Sequence, residues 1–363
     1  MPYRLTSSPA VRASAVRAGR ARGALRVWAV IPAYRAGRTI ARVVEKALAY
    51  VDTVVVVDDA CPEATGDVVA AAFGADPRVE LVRQPRNTGV GGATKSGFAH
   101  AMARGADVVV KLDADEQMDP AYIPFMVELL EKYPYLALVK GNRFGSTAVL
   151  RRMPLPRLIG NSGLSFLVKL TSGFWNVIDP TNGYIACRAD ALRDLELERL
   201  ADRYFFEIDL LCALGLRRAA IAELEMEPIY AGEQSSLSIV RTLLAFPGLL
   251  FARFVRRLFV QYVLADINVA TLYAALGVPL FLGGAVFGAV QWHLSSVTAI
   301  PRTSGTVVLA LLLFIVGFQL VLQAIAFDVA DSARTLKARV VRGVLDRDGE
   351  HEPHAVVVGA DAE

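Results

Sequence analysis

Short apolar runs alternate with segments of helical spacing from Val27 to about Tyr230. The apolar runs predict strands at residues 27–31, 53–57, 79–82, 108–112 and 136–140. The spacing between them predicts helices at residues 38–50, 92–104 and 120–132. Asp119 and Pro120 suit the N-cap and the first position of the last helix. The alternation predicts an α/β domain with a mainly parallel sheet over residues 27–235, which binds ligands outside the carboxyl ends of its strands.

The final third of the chain contains two uncharged stretches, residues 267–292 and 303–327. Each is long enough to cross a bilayer core, which takes about 20 residues, so two transmembrane helices are predicted within residues 266–330. Basic residues flank them unequally: Arg302 lies between the stretches, whereas the flanks hold Arg253, Arg256, Arg257, Arg334, Lys337, Arg339 and Arg342. This asymmetry predicts a multi-pass protein of the cytoplasmic membrane, with the α/β domain and both termini in the cytoplasm.

Residues 236–265, between the domain and the first apolar stretch, are predicted to form amphipathic helices. Large apolar residues recur there at helical spacing among arginines: Phe251, Phe254, Val255, Leu258 and Phe259. We expect this helix to lie in the membrane interface, with Pro247 separating it from a shorter one; packing on the domain as ordinary core is the alternative. The chain ends are predicted as a flexible basic tail, residues 1–26, and a cytoplasmic tail, residues 331–363.

Composition supports a membrane protein and gives no sign of a nucleic-acid partner. The chain has 363 residues, of which 54% are hydrophobic, and a mean hydropathy of +0.40. Its 39 basic and 36 acidic residues leave a net charge of only +3. Cys61, Cys187 and Cys212 lack paired spacing, which indicates a reducing compartment and neither a disulfide framework nor a zinc site.

Acidic residues follow two of the predicted buried strands. Asp113 and Asp115 end the run Val-Val-Val-Lys-Leu-Asp-Ala-Asp-Glu-Gln at residues 108–117. Carboxylates at such a position are costly unless they are neutralised, and hard oxygen ligands suit Mg²⁺ or Mn²⁺. Asp58 and Asp59 end a second valine run, where a carboxylate can accept hydrogen bonds from a base or a ribose, although one of the two could instead cap a helix.

Several motifs occur in a fixed order along the chain. They are Ile-Pro-Ala-Tyr at residues 31–34, the Asp-Asp pair at 58 and 59, a glycine-rich stretch at 86–98, Gly-Asn-Arg-Phe at 141–144, Asp-Pro-Thr-Asn-Gly-Tyr at 179–184 and Phe-Glu-Ile-Asp at 206–209. The glycine-rich stretch fails the P-loop pattern, because Thr94 stands where that pattern requires glycine.

With these motifs the chain resembles family 2 glycosyltransferases of the GT-A fold, in the branch of dolichol-phosphate mannose synthase and bacterial polyprenyl-phosphate glycosyltransferases. The resemblance covers about residues 27–238 and, in architecture, the two apolar stretches. The chain departs from the family at two places. Arg35 and Ala36 replace the usual Asn-Glu, and Ala60 and Cys61 replace the usual Gly-Ser.

The resemblance implies a role for each matching residue. Donor-binding residues would be Pro32, Tyr34, Asp58, Asp59, Asn87, Lys95 and Asp113. Metal ligands for Mg²⁺ or Mn²⁺ would be Asp113, Asp115 and Gln117, and the catalytic residues would be Asp115, Asp179 and Arg143. The acceptor region would contain Glu207, Asp209, Ser235, Ser236 and Arg241.

The function expected from this resemblance is inverting transfer of a sugar from a UDP- or GDP-linked donor to a polyprenyl phosphate at the cytoplasmic membrane face. A lipid hydroxyl or glycolipid acceptor is an alternative that would need a base, for which Asp179, Glu207 or Asp209 could serve. A processive polysaccharide synthase is disfavoured, since no Gln-x-x-Arg-Trp element occurs and two spans are too few for a channel. A non-catalytic membrane scaffold is the third alternative, and a homo-oligomer stays open.

Overall fold

The computed structural model describes residues 25–144, 155–227, 239–332, 335–342 and 353–357, with the backbone alone at 155–159, 239–245, 339–342 and 353–357. The chain divides into two compact units. The first combines Met1–Leu250 with Arg334–Glu363, and the second is Phe251–Ala333.

The first unit alternates strands and helices as the sequence pattern predicts. Its strands are β1 (Val27–Ala33), β2 (Thr53–Asp58), β3 (Val79–Arg83), β4 (Val108–Lys111), β5 (Leu136–Asn142), β6 (Ile185–Arg188), β7 (Ala220–Glu225), β8 (Thr335–Arg342) and β9 (Pro353–Val357). Its helices are α1 (Ile40–Ala47), α2 (Thr65–Phe73), α3 (Val90–Ala103), α4 (Ile123–Lys132), α5 (Leu155–Ser172), α6 (Ala189–Arg193) and α7 (Phe206–Leu216). All five predicted strands and all three predicted helices are present.

One sheet organises this unit, with the strand order β3-β2-β1-β4-β6-β5-β7-β8-β9. Strand β6 is antiparallel to both of its neighbours and β9 is antiparallel to β8, while the remaining pairs are parallel. The predicted α/β class with a mainly parallel sheet is confirmed. Since β4 and β5 flank β6 and run in the same direction, their carboxyl ends lie on one edge of the sheet, about 10 Å apart at normal strand spacing.

Helix α3 packs closely on the sheet through a glycine. A Cβ atom added at Gly97 would lie 2.3 Å from Val30 Cγ1, so no larger residue fits between α3 and β1. The predicted cap at the start of the segment before α4 is also present, because Asp119 Oδ1 accepts a hydrogen bond from the Ala121 N–H at 3.0 Å. Such local contacts hold the strand ends in place around the candidate site.

Strands β8 and β9 lie within residues 331–363, and the prediction of a tail is wrong there. β8 pairs with β7 in parallel, with Glu223 opposite Lys337, and β9 pairs with β8. The segment alternates basic and apolar residues, a pattern that is stable as a strand only beside a partner such as β7. The basic residues of this segment are also typical of the cytoplasmic flank of a transmembrane helix. The sequence pattern therefore did not identify the segment as a strand.

Helix α8 (Ile239–Phe259) contains Pro247 in its interior, so the predicted separation into two helices at this proline is wrong. Phe246 and Leu250, on either side of the proline, both pack on the first unit beside Phe205. This packing stabilises the helix on both sides of the one backbone hydrogen bond that a proline removes.

The second unit contains the two long apolar helices α9 (Val269–Thr298) and α10 (Ser304–Ala330), each long and apolar enough to cross a membrane. They approach closely at small residues. A Cβ atom at Gly284 would lie 2.5 Å from the Phe314 N, and one at Gly317 would lie 2.1 Å from the Phe281 N. Gly284 and Gly317 therefore lie where the two helices are in contact, and no larger residue fits at either position.

Arg257, expected on the polar face of an interface helix, is instead buried in the second unit. Its guanidinium donates to both carboxylate oxygens of Asp328, at 2.7 and 2.8 Å, and to Gln261 Oε1 at 3.0 Å. The Tyr262 hydroxyl donates to the same carboxylate at 2.5 Å. We call these four residues the Arg257 cluster. In the same unit Phe251 and Phe259 remain exposed, at 68% and 51%.

Candidate active site

The loop after β4 presents the two carboxylates that the sequence predicts as metal ligands. Asp113 is one third exposed, and the Gln117 N–H donates to Asp115 Oδ1 at 3.0 Å. Glu116, between Asp115 and Gln117, has a positive φ of 62°, a backbone conformation that is strained for a residue with a Cβ. Hydrogen bonds from Arg42 and Lys46 hold its carboxylate and lower its pKa to about 2 against a smaller opposing effect of burial. The turn is therefore fixed before any ligand binds.

Lys111, which the sequence analysis did not single out, binds one of these carboxylates. It is completely buried, and its Nζ lies 2.6 Å from Asp113 Oδ1 and 3.1 Å from Glu207 Oε1. Burial acts to lower the pKa of this lysine, but the two carboxylates outweigh it and raise the pKa above the ordinary value. The signal for Lys111 in the sequence is a single cation inside a run of valines, which requires an anionic partner.

The charge and chemistry of this loop fit a divalent cation. The charged side chains here leave a net negative charge of about two, which a divalent cation can balance. Three carboxylates contribute to it, those of Asp113, Asp115 and Glu207, and Lys111 neutralises one of the three charges. The predicted ligands Asp113, Asp115 and Gln117 supply oxygen donors alone, and the Gln117 side chain is exposed. Within the described residues no group of three or more His, Cys, Asp and Glu side chains is placed to hold a metal. A cation here would complete its shell with water and substrate oxygens.

Asp58 and Asp59 are both buried, at 4% and 2% exposure, and both bind backbone N–H groups of the protein. Asp58 accepts from the Cys61 and Gly66 N–H groups at 3.0 and 3.1 Å. Asp59 accepts from the Thr88 and Gly89 N–H groups, each at 2.7 Å, and from the Thr88 hydroxyl at 2.9 Å. Neither aspartate occupies an N-cap position, which belongs to Ala64 in α2 and Gly89 in α3, but Asp58 binds an N–H group in the first turn of α2. Asp59 connects the end of β2 to the glycine-rich stretch.

Two predicted donor-binding residues in the glycine-rich stretch contact the protein itself. Lys95 Nζ lies 2.6 Å from Asp202 Oδ1 and donates to the Leu200 carbonyl at 2.7 Å. The Asn87 side chain is exposed and donates to the Asp59 carbonyl at 3.3 Å. Gly91 is needed for packing, since a Cβ there would lie 2.5 Å from the Ala201 carbonyl. This geometry favours a structural role for Lys95 over the predicted phosphate contact.

Arg143 and Asp179, both predicted as catalytic, contact each other at the end of β5. Asp179 is completely buried and accepts from Arg143 Nε at 2.8 Å, Nη2 at 3.1 Å and the backbone N–H at 3.1 Å. The Arg143 side chain is 40% exposed. Because both oxygens of Asp179 face the arginine, the geometry favours a role for Asp179 in orienting Arg143 rather than in contacting an acceptor directly.

Lys140 and Asn182 are further buried polar residues beside this pair. Lys140 donates to the Asn182 carbonyl, and burial lowers its pKa to about 8, against an opposing effect of Asp179 and Glu223. The Asn182 Oδ1 accepts from the Tyr184 N–H at 3.0 Å. Its buried Nδ2 has no hydrogen-bond partner among the described residues.

The predicted acceptor region is described in part. Glu207 binds Lys111, as above, and is 13% exposed. Asp209 is 2% exposed and accepts from the Ala201 N–H at 2.9 Å, which indicates a structural role. Ser235, Ser236 and the side chain of Arg241 lie outside the described residues.

The residues at the end of β1 line the same edge of the sheet. Pro32 is buried and Tyr34 is 44% exposed. Arg35 and Ala60, at the two departures from the family pattern, have positive φ angles of 56° and 51°. The chain thus keeps a left-handed backbone at both places with residues that are poorly suited to it.

Cys61 takes the place of the usual serine and binds the loop after β1. Its Sγ accepts from the Arg35 N–H at 3.1 Å and lies 3.1 Å from the Thr65 hydroxyl. Burial acts to raise the pKa of the thiol, but these hydrogen bonds and one from the Glu63 N–H together lower it. Cys61 therefore acts here as a hydrogen-bond acceptor, as a serine oxygen can.

Residues 28–196 match the family model for Glycosyl transferase family 2. An undecaprenyl-phosphate mannosyltransferase of Micrococcus luteus is 35% identical over 158 residues, which cover 43% of this chain and 63% of the relative. A polyprenol monophosphomannose synthase of Mycolicibacterium smegmatis is 30% identical, over 43% of this chain and 59% of the relative. The matches to these two proteins span less than two thirds of their length.

A more distant relative is matched over more of its length. It is a UDP-N-acetylglucosamine–dolichyl-phosphate N-acetylglucosaminyltransferase of Methanococcus voltae, 28% identical over 56% of this chain and 86% of the relative. Two of these relatives are named as sugar transferases of undecaprenyl or dolichyl phosphate, and the third as a synthase of polyprenol monophosphomannose. Two of the names give mannose and one gives N-acetylglucosamine.

Proposed function

Because this chain carries a glycosyl transferase family 2 domain at residues 28–196, we propose that it moves a sugar from a nucleotide-diphosphate sugar to a polyprenyl phosphate, with inversion at the anomeric carbon. One observation carries the proposal. The carboxylates after β4 and the half-exposed Arg143 after β5 lie on the same edge of the sheet, one strand apart. A site for a cation and a site for an anion are thus adjacent.

The loop after β4 is the proposed site for the donor diphosphate. Asp113, Asp115 and Gln117 would hold a Mg²⁺ or Mn²⁺ ion, which would supply charge stabilisation for the departing diphosphate. Lys111 fixes the Asp113 carboxylate through its 2.6 Å contact, and Glu116, held by Arg42 and Lys46, fixes the turn. Little of this loop has to rearrange when the donor binds, which favours reaction.

Arg143 is the proposed binding residue for the acceptor phosphate. A guanidinium binds phosphate oxygens by paired hydrogen bonds, and Asp179 holds this one in a fixed orientation from its buried side. A lipid phosphate is already anionic at neutral pH and can attack the anomeric carbon without a strong base, so positioning supplies much of the rate. Donor contacts by Pro32, Tyr34, Asp58, Asp59 and Asn87 remain part of the proposal. The contact predicted for Lys95 does not, because Lys95 binds Asp202 and the Leu200 carbonyl.

The alternative of a lipid hydroxyl acceptor is disfavoured by the state of its candidate bases. Asp179 binds Arg143, Glu207 binds Lys111, and Asp209 accepts from a backbone N–H. Asp179 and Asp209 are also buried, at 0% and 2% exposure, which keeps them from an acceptor hydroxyl. The scaffold alternative is disfavoured because Asp113, Asp115 and Gln117 are all present, in a loop where the two aspartates are partly exposed and Gln117 is exposed.

The proposed location is the cytoplasmic membrane, with α9 and α10 as transmembrane helices and the first unit on the cytoplasmic face. The apolar helices and the flanking basic residues support it. The exposed Phe251 and Phe259 suit the head-group region, where the phosphate of a polyprenyl acceptor also lies.

The test is transfer of a radiolabelled sugar to two matched acceptors, a polyprenyl phosphate and the corresponding polyprenol. A panel of UDP- and GDP-sugars is first screened for metal-dependent thermal stabilisation of the full chain, which identifies the donor. We expect an acid-labile product from the phosphate and none from the alcohol. A product from the alcohol alone would replace the proposal with the hydroxyl-acceptor alternative.

A further inference from the structure

One row of residues across five neighbouring strands of the sheet holds a charged residue on four of them, with Ile185 on β6 as the fifth member. Lys111 on β4 and Lys140 on β5 both pair with Ile185 on β6, Lys140 pairs with Glu223 on β7, and Glu223 pairs with Lys337 on β8. Lys337 is the outer end of this row. It belongs to the strand that follows the second apolar helix in the chain, 114 residues after Glu223.

Glu223 binds the segment that carries Asp179. Its carboxylate is 1% exposed and accepts from the Ile178 and Asp179 N–H groups, each at 2.9 Å. Asp179 in turn holds Arg143 through three hydrogen bonds. Glu223 therefore binds the residue that orients the arginine.

Lys337 contacts both Glu223 and the same segment. Its Nζ donates to Glu223 Oε2 and to the Asn176 carbonyl. The segment from Asn176 to Asp179 is thus held at its start by Lys337 and at its end by Glu223. Removal of Lys337 takes the contacting cation from the buried Glu223 carboxylate and leaves it the longer-range attraction of Lys140 and Lys169, so the position of Glu223 is weakened as well.

We propose that Lys337 is a positioning residue of the active site, acting through Glu223 and Asp179 on the orientation of Arg143. The strand after the membrane helices is then part of the catalytic apparatus and not an appendage of the sheet. The consequence for turnover rests on the proposed function. The structural link itself does not, because it is a set of contacts within the first unit.

The first experiment needs neither donor nor acceptor. Hydrogen exchange is measured on the full chain in detergent for wild type, Lys337→Met and Lys337→Arg. We expect the amides of Ile178 and Asp179 to exchange about tenfold faster in Lys337→Met and near the wild-type rate in Lys337→Arg, with the β2 amides unchanged. Arg78→Met, which removes the ion pair between Arg78 and Asp76, is the control for loss of a cation elsewhere.

The second experiment measures transfer to polyprenyl phosphate. We expect Lys337→Met to lower kcat by about 10- to 100-fold with the donor KM nearly unchanged, and Lys337→Arg to recover most of it. Because the effect passes through Glu223, Lys337→Met should cost little further in a Glu223→Gln background. If Lys337→Met fails to fold, Lys337→Gln takes its place in both experiments and in the cycle with Glu223→Gln.

The outcomes separate the two proposals. Unchanged exchange at Ile178 and Asp179 in Lys337→Met overturns the inference, and so does a loss of kcat that adds fully to that of Glu223→Gln. Faster exchange in a protein whose wild type transfers no sugar to polyprenyl phosphate overturns the proposed function and leaves the structural link standing.

Discussion

At the scale of single residues, the aspartates after β2 and β4 have the same sequence appearance and different environments. Asp58 and Asp59 are buried and bind backbone N–H groups, whereas Asp113 is one third exposed. Sequence identifies both pairs, because an acidic residue after a valine run is conspicuous. It cannot identify their partners, since the Thr88 and Gly89 N–H groups that bind Asp59 come from a loop 29 and 30 residues away.

For the same reason, the sequence could not identify the partners of the two buried lysines. Lys111 and Lys140 each interrupt an apolar strand, and their anionic partners Glu207 and Asp179 come from distant segments. A lysine in a strand is also common on exposed faces, so the pattern alone favours neither interpretation. The strand register settles it, because both lysines pair with Ile185 in the middle of the sheet.

Arg143→Lys should reduce transfer strongly although it keeps the charge. An ammonium cannot make the paired hydrogen bonds that a guanidinium makes to Asp179 and to a phosphate. Loss of a charge-assisted hydrogen bond costs about 1.5–3 kcal/mol, so we expect kcat/KM for the polyprenyl phosphate to fall about 10- to 100-fold. Donor binding, measured by thermal stabilisation with the nucleotide sugar, should stay near wild type; an equal loss of both would place Arg143 on the donor.

Ala60→Gly should stabilise the protein. Ala60 has a φ of 51°, a conformation that costs a residue with a Cβ about 1–2 kcal/mol, while glycine gives back part of that in chain entropy. We expect a net gain of about 0.5–1 kcal/mol in the free energy of unfolding. Ala70→Gly, at an exposed position inside α2, is the control and should cost about 1 kcal/mol. A destabilised Ala60→Gly would show that the strain is absent.

Lys140→Met should stabilise the chain at neutral pH and not at high pH. The pKa of Lys140 in the folded chain is about 8, below its ordinary value of 10.5, so the unfolded state binds this proton more tightly. Wild-type stability therefore rises with pH from about 8 to about 10, and below that window the charged lysine costs roughly 2–3 kcal/mol. Denaturant unfolding at pH 7 and pH 10 checks this. A difference between the two proteins that is the same at both pH values contradicts it.

At the scale of elements, the sequence predicts the strands with long apolar runs. It does not predict the short strand β6 or the strand β8, which is stable only beside a partner. β1, β2 and β4 are entirely or almost entirely apolar, and their positions follow from the sequence alone. β6 has four residues between a glycine-containing turn and a short helix, too few for a periodicity to be recognised. β8 needs β7 beside it, and α8 continues through Pro247 only because residues on both sides of the proline pack on the first unit.

Asp328→Asn should destabilise the second unit, because it leaves Arg257 charged and buried without its anion. Breaking a buried ion pair costs about 3–5 kcal/mol, so the melting temperature in detergent should fall by several degrees. Arg256→Met, at the neighbouring exposed position, should change little. The double variant Arg257→Met with Asp328→Leu should recover much of the loss. If it melts as low as the single variant, charge compensation is not the function of the Arg257 cluster.

At the scale of the whole molecule, the chain leaves the first unit at Leu250 and returns to it at Arg334. Between these points lie the two apolar helices α9 and α10. The sequence alone predicted the two helices from their length and lack of charge. It did not predict the return to the sheet, because the pairing partner of β8 lies more than 100 residues earlier.

The proposed orientation predicts which cysteines a membrane-impermeant maleimide can label in intact cells. In a chain without its three native cysteines, Ser296→Cys at the end of α9 should be labelled, whereas Glu63→Cys in the first unit should be labelled only after lysis. Both positions are exposed. The opposite pattern would place the first unit outside the cytoplasm and remove nucleotide sugars from its reach.

The central claim, that the carboxylates after β4 hold a divalent cation for sugar transfer to a lipid phosphate, is tested most directly by one rate measurement. The initial rate of transfer to polyprenyl phosphate is measured against Mn²⁺ concentration for wild type and Asp115→Asn. We expect a saturable rate for the wild type that a chelator abolishes, and a rate lower by about 10³-fold or more for the variant at every Mn²⁺ concentration. An Asp115→Asn rate close to that of wild type, or wild-type transfer that persists in chelator, would contradict the claim.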